Sequence, residues 1–122
     1  MKRFRVLIAA LSFLLTVPVQ AQYALQFGAA VASDGEAVYA GEGRNLLQNG
    51  SVFVYGMDDD GTWQMTNQIQ ASDPIESGNG FGRSIALAGD VMVVGAPLVG
   101  AVYVFERGDD GVWRCFDRAA HR

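Results

Sequence analysis

The chain has 122 residues, 50% hydrophobic and 18% charged, so it holds one small domain at most and is not a disordered chain. Fifteen glycines against three prolines favour turn-rich β-structure and exclude a helical bundle. Beyond residue 21 six basic residues face 13 acidic ones, a charge of −7, and without clustered Lys and Arg to meet a phosphate backbone nucleic acid is excluded as a partner.

In chain order, residues 1–21 have the three parts of a secretory signal peptide: Lys2, Arg3 and Arg5, an apolar stretch from Val6 to Val17, and the small-residue end Val19-Gln20-Ala21. Cleavage is expected after Ala21, giving a secreted, periplasmic or cell-surface protein with no membrane span after cleavage. The 12-residue stretch would reach only about 18 Å as a helix, short of a ~30 Å hydrocarbon core. Residue 22 is Gln, so no lipid-accepting thiol follows the cleavage point, and the single cysteine, Cys115, has no partner for an internal disulfide.

The mature part repeats itself. Phe27-Gly28 recurs 54 residues later as Phe81-Gly82, and 12 of 33 aligned positions are identical when one four-residue insertion is allowed in the first copy. The pairs include Gly41 with Gly95, Gly50 with Gly100, Val52 with Val102, Val54 with Val104 and Trp63 with Trp113. Each copy predicts short strands separated by turns: Ala29–Ser33 and Ser84–Ala88, then Ala37–Ala40 and Val91–Val94, then Ser51–Tyr55 and Ala101–Phe105. Glycines 35, 89, 61 and 111 supply turn conformations, and Met65, Ile69 and Ala71 mark a fourth strand after Trp63. The third strands are apolar on successive positions, so both of their faces need cover. Four antiparallel strands in about 50 residues, apolar on both sides, form a unit suited to stacking on its like.

The segments Phe81-Gly82-Arg83-Ser84-Ile85-Ala86-Leu87, Val93-Val94-Gly95-Ala96-Pro97 and Gly100-Ala101-Val102-Tyr103-Val104-Phe105 resemble the FG-GAP repeat, the blade motif of integrin-α-type propellers and of many exported bacterial proteins. The first copy keeps Phe27-Gly28 and Gly50-Ser51-Val52-Phe53-Val54-Tyr55 but has Gly41-Glu42-Gly43 where the motif has Gly-Ala-Pro. The resemblance implies an all-β chain of two four-stranded antiparallel blades of a β-propeller, a partial one. The blades are expected over residues 22–76 and 77–115, the second incomplete, followed by an unrelated or frayed tail over 116–122. The structural repeat residues are Phe27, Gly28, Gly41, Trp63, Phe81, Gly82, Gly95, Ala96, Pro97 and Trp113.

Many members of the family bind calcium through an acidic loop between Phe-Gly and Gly-Ala-Pro. Here those turns are Asp34-Gly35-Glu36 and Ala88-Gly89-Asp90, too few oxygens for a six- to eight-ligand cage, so no metal or other cofactor is expected. Asp58-Asp59-Asp60-Gly61 is the densest acidic cluster and has the composition of a solvated hairpin turn. No catalytic residue is assigned: the one histidine, His121, stands six residues after Cys115 near the chain end, without a scaffold to hold a thiol–base pair. Trp63 and Trp113 read as packing residues of the repeat or as ligand-stacking aromatics.

Two blades are fewer than a closed propeller uses, and after Trp113 the sequence departs from its counterpart after Trp63, with Arg114, Arg118 and Arg122 in the last nine residues. The expectation is a truncated propeller, a non-enzymatic module for an unknown protein or glycan ligand, that self-associates when expressed alone. The alternatives are a short self-assembling ring protein and an accessory domain of a truncated secreted enzyme.

Overall fold

The computed structural model describes residues 27–43, 48–73 and 78–120; the signal segment and its cleavage point lie outside these. Eight strands appear in order: β1 (Phe27–Ser33), β2 (Ala37–Glu42), β3 (Ser51–Met57), β4 (Trp63–Ile69), β5 (Ser84–Ala88), β6 (Val91–Ala96), β7 (Ala101–Arg107) and β8 (Trp113–Ala120). One short 3-10 turn, Pro97–Val99, precedes β7, and no α-helix occurs among the described residues. The strands form two antiparallel meanders, β1-β2-β3-β4 and β5-β6-β7-β8, here called sheet one and sheet two. The protein is all-β, two four-stranded antiparallel sheets, as the repeat implies.

The repeat in sequence is also a repeat in register. Ala32, Tyr39, Val54 and Asn67 lie side by side across sheet one, and Ala86, Val93, Val104 and Asp117, their counterparts, lie side by side across sheet two. Even the irregularity recurs: the pairing of the last two strands shifts between Val54 and Tyr55 in sheet one and between Val104 and Phe105 in sheet two. The second sheet is complete. The sequence led to an expected fray after residue 115, but β8 runs on to Ala120, which pairs with Ala101. Backbone pairing tolerates the polar Asp117 and Arg118 there because an edge strand keeps contact with water.

The sheets stack face to face around a shared core. Tyr39, Val52 and Val54 of sheet one meet Met92, Val94, Tyr103, Phe105 and Trp113 of sheet two, with Phe81 buried between them. Alternation along a strand allows this, since residues i and i+2 share a face. The connection entering sheet two is laid directly on the backbone of sheet one. A Cβ at Gly41 would fall on the Gly82 carbonyl, and one at Gly50 on the Phe81 carbonyl. Asn79, buried beside them, accepts hydrogen bonds from the backbone N–H of Gly50 (3.0 Å) and of Phe81 (2.9 Å), tying the two units together.

These contacts set an expected order of costs. Gly41→Ala should destabilise by about 2 kcal/mol or more, because backbone has to move to admit the methyl group. Gly35→Ala, whose Cβ meets nothing but whose φ is +93°, should cost about 1–2 kcal/mol from conformation alone. Urea midpoints of the two variants test the seating, and equal stability of Gly41→Ala and wild type would refute it.

Candidate functional site

At one end of the junction the two sheets part to leave a recess of about 320 Å³. Its apolar wall comes from Ala37, Tyr39 and Val54 of sheet one and from Trp113 of sheet two, and Thr66, Asn67 and Arg107 add polar groups. The strands place these side chains: Tyr39 and Val54 are cross-strand neighbours on β2 and β3, and Arg107 faces Trp113 across β7 and β8. Tyr39 meets the Trp113 ring edge-on at 6.0 Å, and the Arg107 guanidinium lies 5.1 Å from the centre of the same ring.

A charged network closes the floor. Arg107 donates from Nη1 to Asp34 (2.9 Å) and from Nε to Asp90 (3.0 Å), so one guanidinium links the β1–β2 turn to the β5–β6 turn. Asp34 also accepts from the backbone N–H of Glu36 and Ala37 and from the Tyr39 hydroxyl. Burial by itself pushes the Asp34 carboxyl up; the two backbone N–H groups, with Tyr39 and Arg107, outweigh it and hold the carboxyl at about 2, below its usual 3.8. Burial, and then the Asp34 acceptor, push the Tyr39 hydroxyl up, so it stays a donor. The lining residues therefore offer apolar groups, among them the largely buried edges of Tyr39 and Trp113, beside neutral hydrogen-bonding groups, while their one cation, Arg107, is committed to two carboxylates. They contain no pair of groups arranged as nucleophile and base.

The residues singled out from sequence fall into two sets. Phe81, Gly82 and Trp113 meet in the junction, together with Gly41; Phe27, Gly28 and Trp63 lie on the far side of sheet one. Gly95 and Ala96 end β6, and Pro97 opens the 3-10 turn that leads to β7. Cys115 is a half-buried thiol on β8, while His121 lies outside the described residues. The Asp58–Gly61 cluster does not converge on a point: Asp58 is used up inside its own turn, accepting from the backbone N–H of Asp60 and Thr62 and from the Gln64 side chain. Among the described residues no three His, Cys, Asp or Glu side chains gather as metal ligands do. Asp34, Arg107 and Asp90 escaped the sequence reading. The only signal was an Arg standing where the first copy has Met57.

The depressed Asp34 carboxyl fixes a pH dependence. Its contribution is complete above the unfolded-state value near 3.8 and disappears as pH falls through about 2. Asp34→Asn should therefore lose on the order of 2 kcal/mol at neutral pH, with the gap to wild type closing between about pH 4 and 2. Urea unfolding of both proteins across that range tests this, and a gap independent of pH would remove Asp34 from the network.

Comparison with protein families finds the FG-GAP repeat over residues 63–105. The matched span starts at Trp63 and takes in β4, β5, β6 and most of β7. It contains Phe81-Gly82 and Gly95-Ala96-Pro97. Comparison with curated proteins and with solved structures gives no significant match. With the family's motif seated in the junction between two four-stranded sheets, this chain carries the FG-GAP repeat.

Proposed function

We propose that the protein is an exported, non-enzymatic β-propeller-type module that binds a protein or glycan partner. The observation that supports this reading is the recess beside Trp113, where Ala37, Val54 and the edges of Tyr39 and Trp113 meet Thr66 and Asn67, with its cation already neutralised. Such a surface suits a ring with an apolar face and a hydroxyl edge, the chemistry of a sugar or of an aromatic side chain. Export is supported by the tripartite signal over residues 1–21, and an acidic, turn-rich mature chain is in keeping with it. Among the described residues no helix is long and apolar enough to cross a membrane.

Three measurements test the reading. N-terminal sequencing of the protein recovered from outside the cytoplasm should begin at Gln22, and a start at Met1 would remove the export step. In a Trp63→Phe background, where Trp113 is the only indole, titration with a panel of neutral oligosaccharides and aromatic-rich peptides should give saturable fluorescence change with at least one of them. By calorimetry the same ligand should bind the wild type and fail to bind Trp113→Leu. A silent panel would dismiss the recess as the binding site. Calcium at millimolar concentration should leave the melting temperature where magnesium leaves it, and a rise of several degrees specific to calcium would reverse the assignment of the acidic turns.

A further inference from the structure

The two sheets stack front to back. The face of sheet one that enters the junction carries Ala32, Tyr39, Val52 and Val54; its counterpart on sheet two, carrying Ala86, Val93, Val102 and Val104, points outward. Conversely, the junction face of sheet two carries Tyr103, Phe105 and Trp113, and its counterpart on sheet one, carrying Phe53, Tyr55 and Trp63, points outward. Each outer face is thus a second version of a half-junction already joined inside the molecule. The details agree. Phe27 rests on Phe53 and Tyr55 at 5.6 and 6.2 Å between ring centres, as Phe81 rests on Tyr103 and Phe105 at 5.4 and 5.9 Å. Only the cover differs: Phe27 is 54% exposed and Phe81 0%, Trp63 49% and Trp113 9%, Val102 39% and Val52 0%.

We infer that the occupant of both outer faces is a second copy of this chain, docked head to tail. The outer face of sheet one in one molecule lies on the outer face of sheet two in the next, repeating the internal junction. Phe27-Gly28 is then laid over Gly95 as Phe81-Gly82 is laid over Gly41. The nearest atom to a Cβ at Gly95 is the Ser84 hydroxyl oxygen, a single rotatable group.

Two exchanges between the two copies of the repeat are matched across this joint, while Pro97 stands where the internal junction has Gly43. Arg107 and Asp34, an ion pair in the internal junction, correspond to Met57 and Ala88, so both charges leave together and neither is stranded. The Tyr103 hydroxyl, which donates to Asp73, corresponds to Phe53, which needs no acceptor. A two-fold arrangement, outer aromatic face on outer aromatic face, has no precedent within the molecule. The head-to-tail joint is heterologous and so propagates until a ring closes or the ends remain open. It stands on the stacking alone and is independent of what the recess at Trp113 binds.

The test uses the purified chain and two single variants at exposed positions, Trp63→Lys on the outer face of sheet one and Val102→Lys on that of sheet two. Wild type should sediment as concentration-dependent assemblies. Each variant alone should lose self-association by roughly thirtyfold or more, the ordinary loss at an interface hot spot. Circular dichroism should report both variants folded, since neither position is buried. Mixed in equal amounts, they should form a dimer that stops there, because each supplies the face the other lacks. Three outcomes overturn the inference: a wild type that stays monomeric, a Val102→Lys variant that still assembles as a two-fold joint requires, or a mixture of folded variants that remains monomeric.

Discussion

The arrangement of this molecule depends on a place where side chains are missing. Gly41 and Gly50 leave bare backbone on sheet one, and the Phe81–Gly82 segment comes down onto it closely enough that a methyl group at either glycine would collide with a carbonyl. That approach sets the distance between the sheets. The contacts across the junction follow from the distance: Tyr39 reaches Trp113, and Asn79 can bridge the backbones of both units. Dispersion falls off steeply with separation, so a platform raised by one methyl group would loosen contacts along the whole interface.

The recess at Trp113 is a by-product of the same stacking. Two twisted sheets laid on each other cannot stay in contact along their full length, and where they diverge the structure ties them with charge instead of packing. Arg107 reaches both Asp34 and Asp90, one on each sheet. The pair with Asp34 is the more sheltered of the two and is further anchored by backbone N–H groups, which makes it a positional device, while the pair with the exposed Asp90 adds little energy.

Much of this was legible in the sequence because a repeat is its own alignment. The doubled Phe-Gly, the doubled Gly-x-Val-x-Val and the doubled turn with Trp after it locate seven of the eight strands to within a few residues, and the family resemblance supplies the stacking of the sheets. Two things escaped. Strand β8 follows its partner to Ala120 although Asp117, Arg118 and the small Ala119 and Ala120 carry no apolar pattern, because on an edge strand backbone pairing suffices. The Asp34–Arg107 link joins residues 73 apart whose counterparts, Ala88 and Met57, are uncharged, so comparing the two copies marks the exchanges but not that the two residues meet.

Strand β4 has a bearing on how such a chain avoids amyloid-like growth. It is an outermost strand, exposed along six of its seven residues, and it displays Gln64, Thr66, Asn67 and Gln68 as well as an irregular register against β3. Side-chain amides and hydroxyls here turn back on their own sheet: Thr66 donates to the Val54 carbonyl and Gln68 to Ser51. A polar, kinked edge is a poor template for another strand, whereas the broad faces are apolar. At this edge the chain thus separates two ways of sticking together, disfavouring the one that runs along hydrogen bonds while the broad faces leave open the one that runs through side chains, where shape decides which neighbour fits.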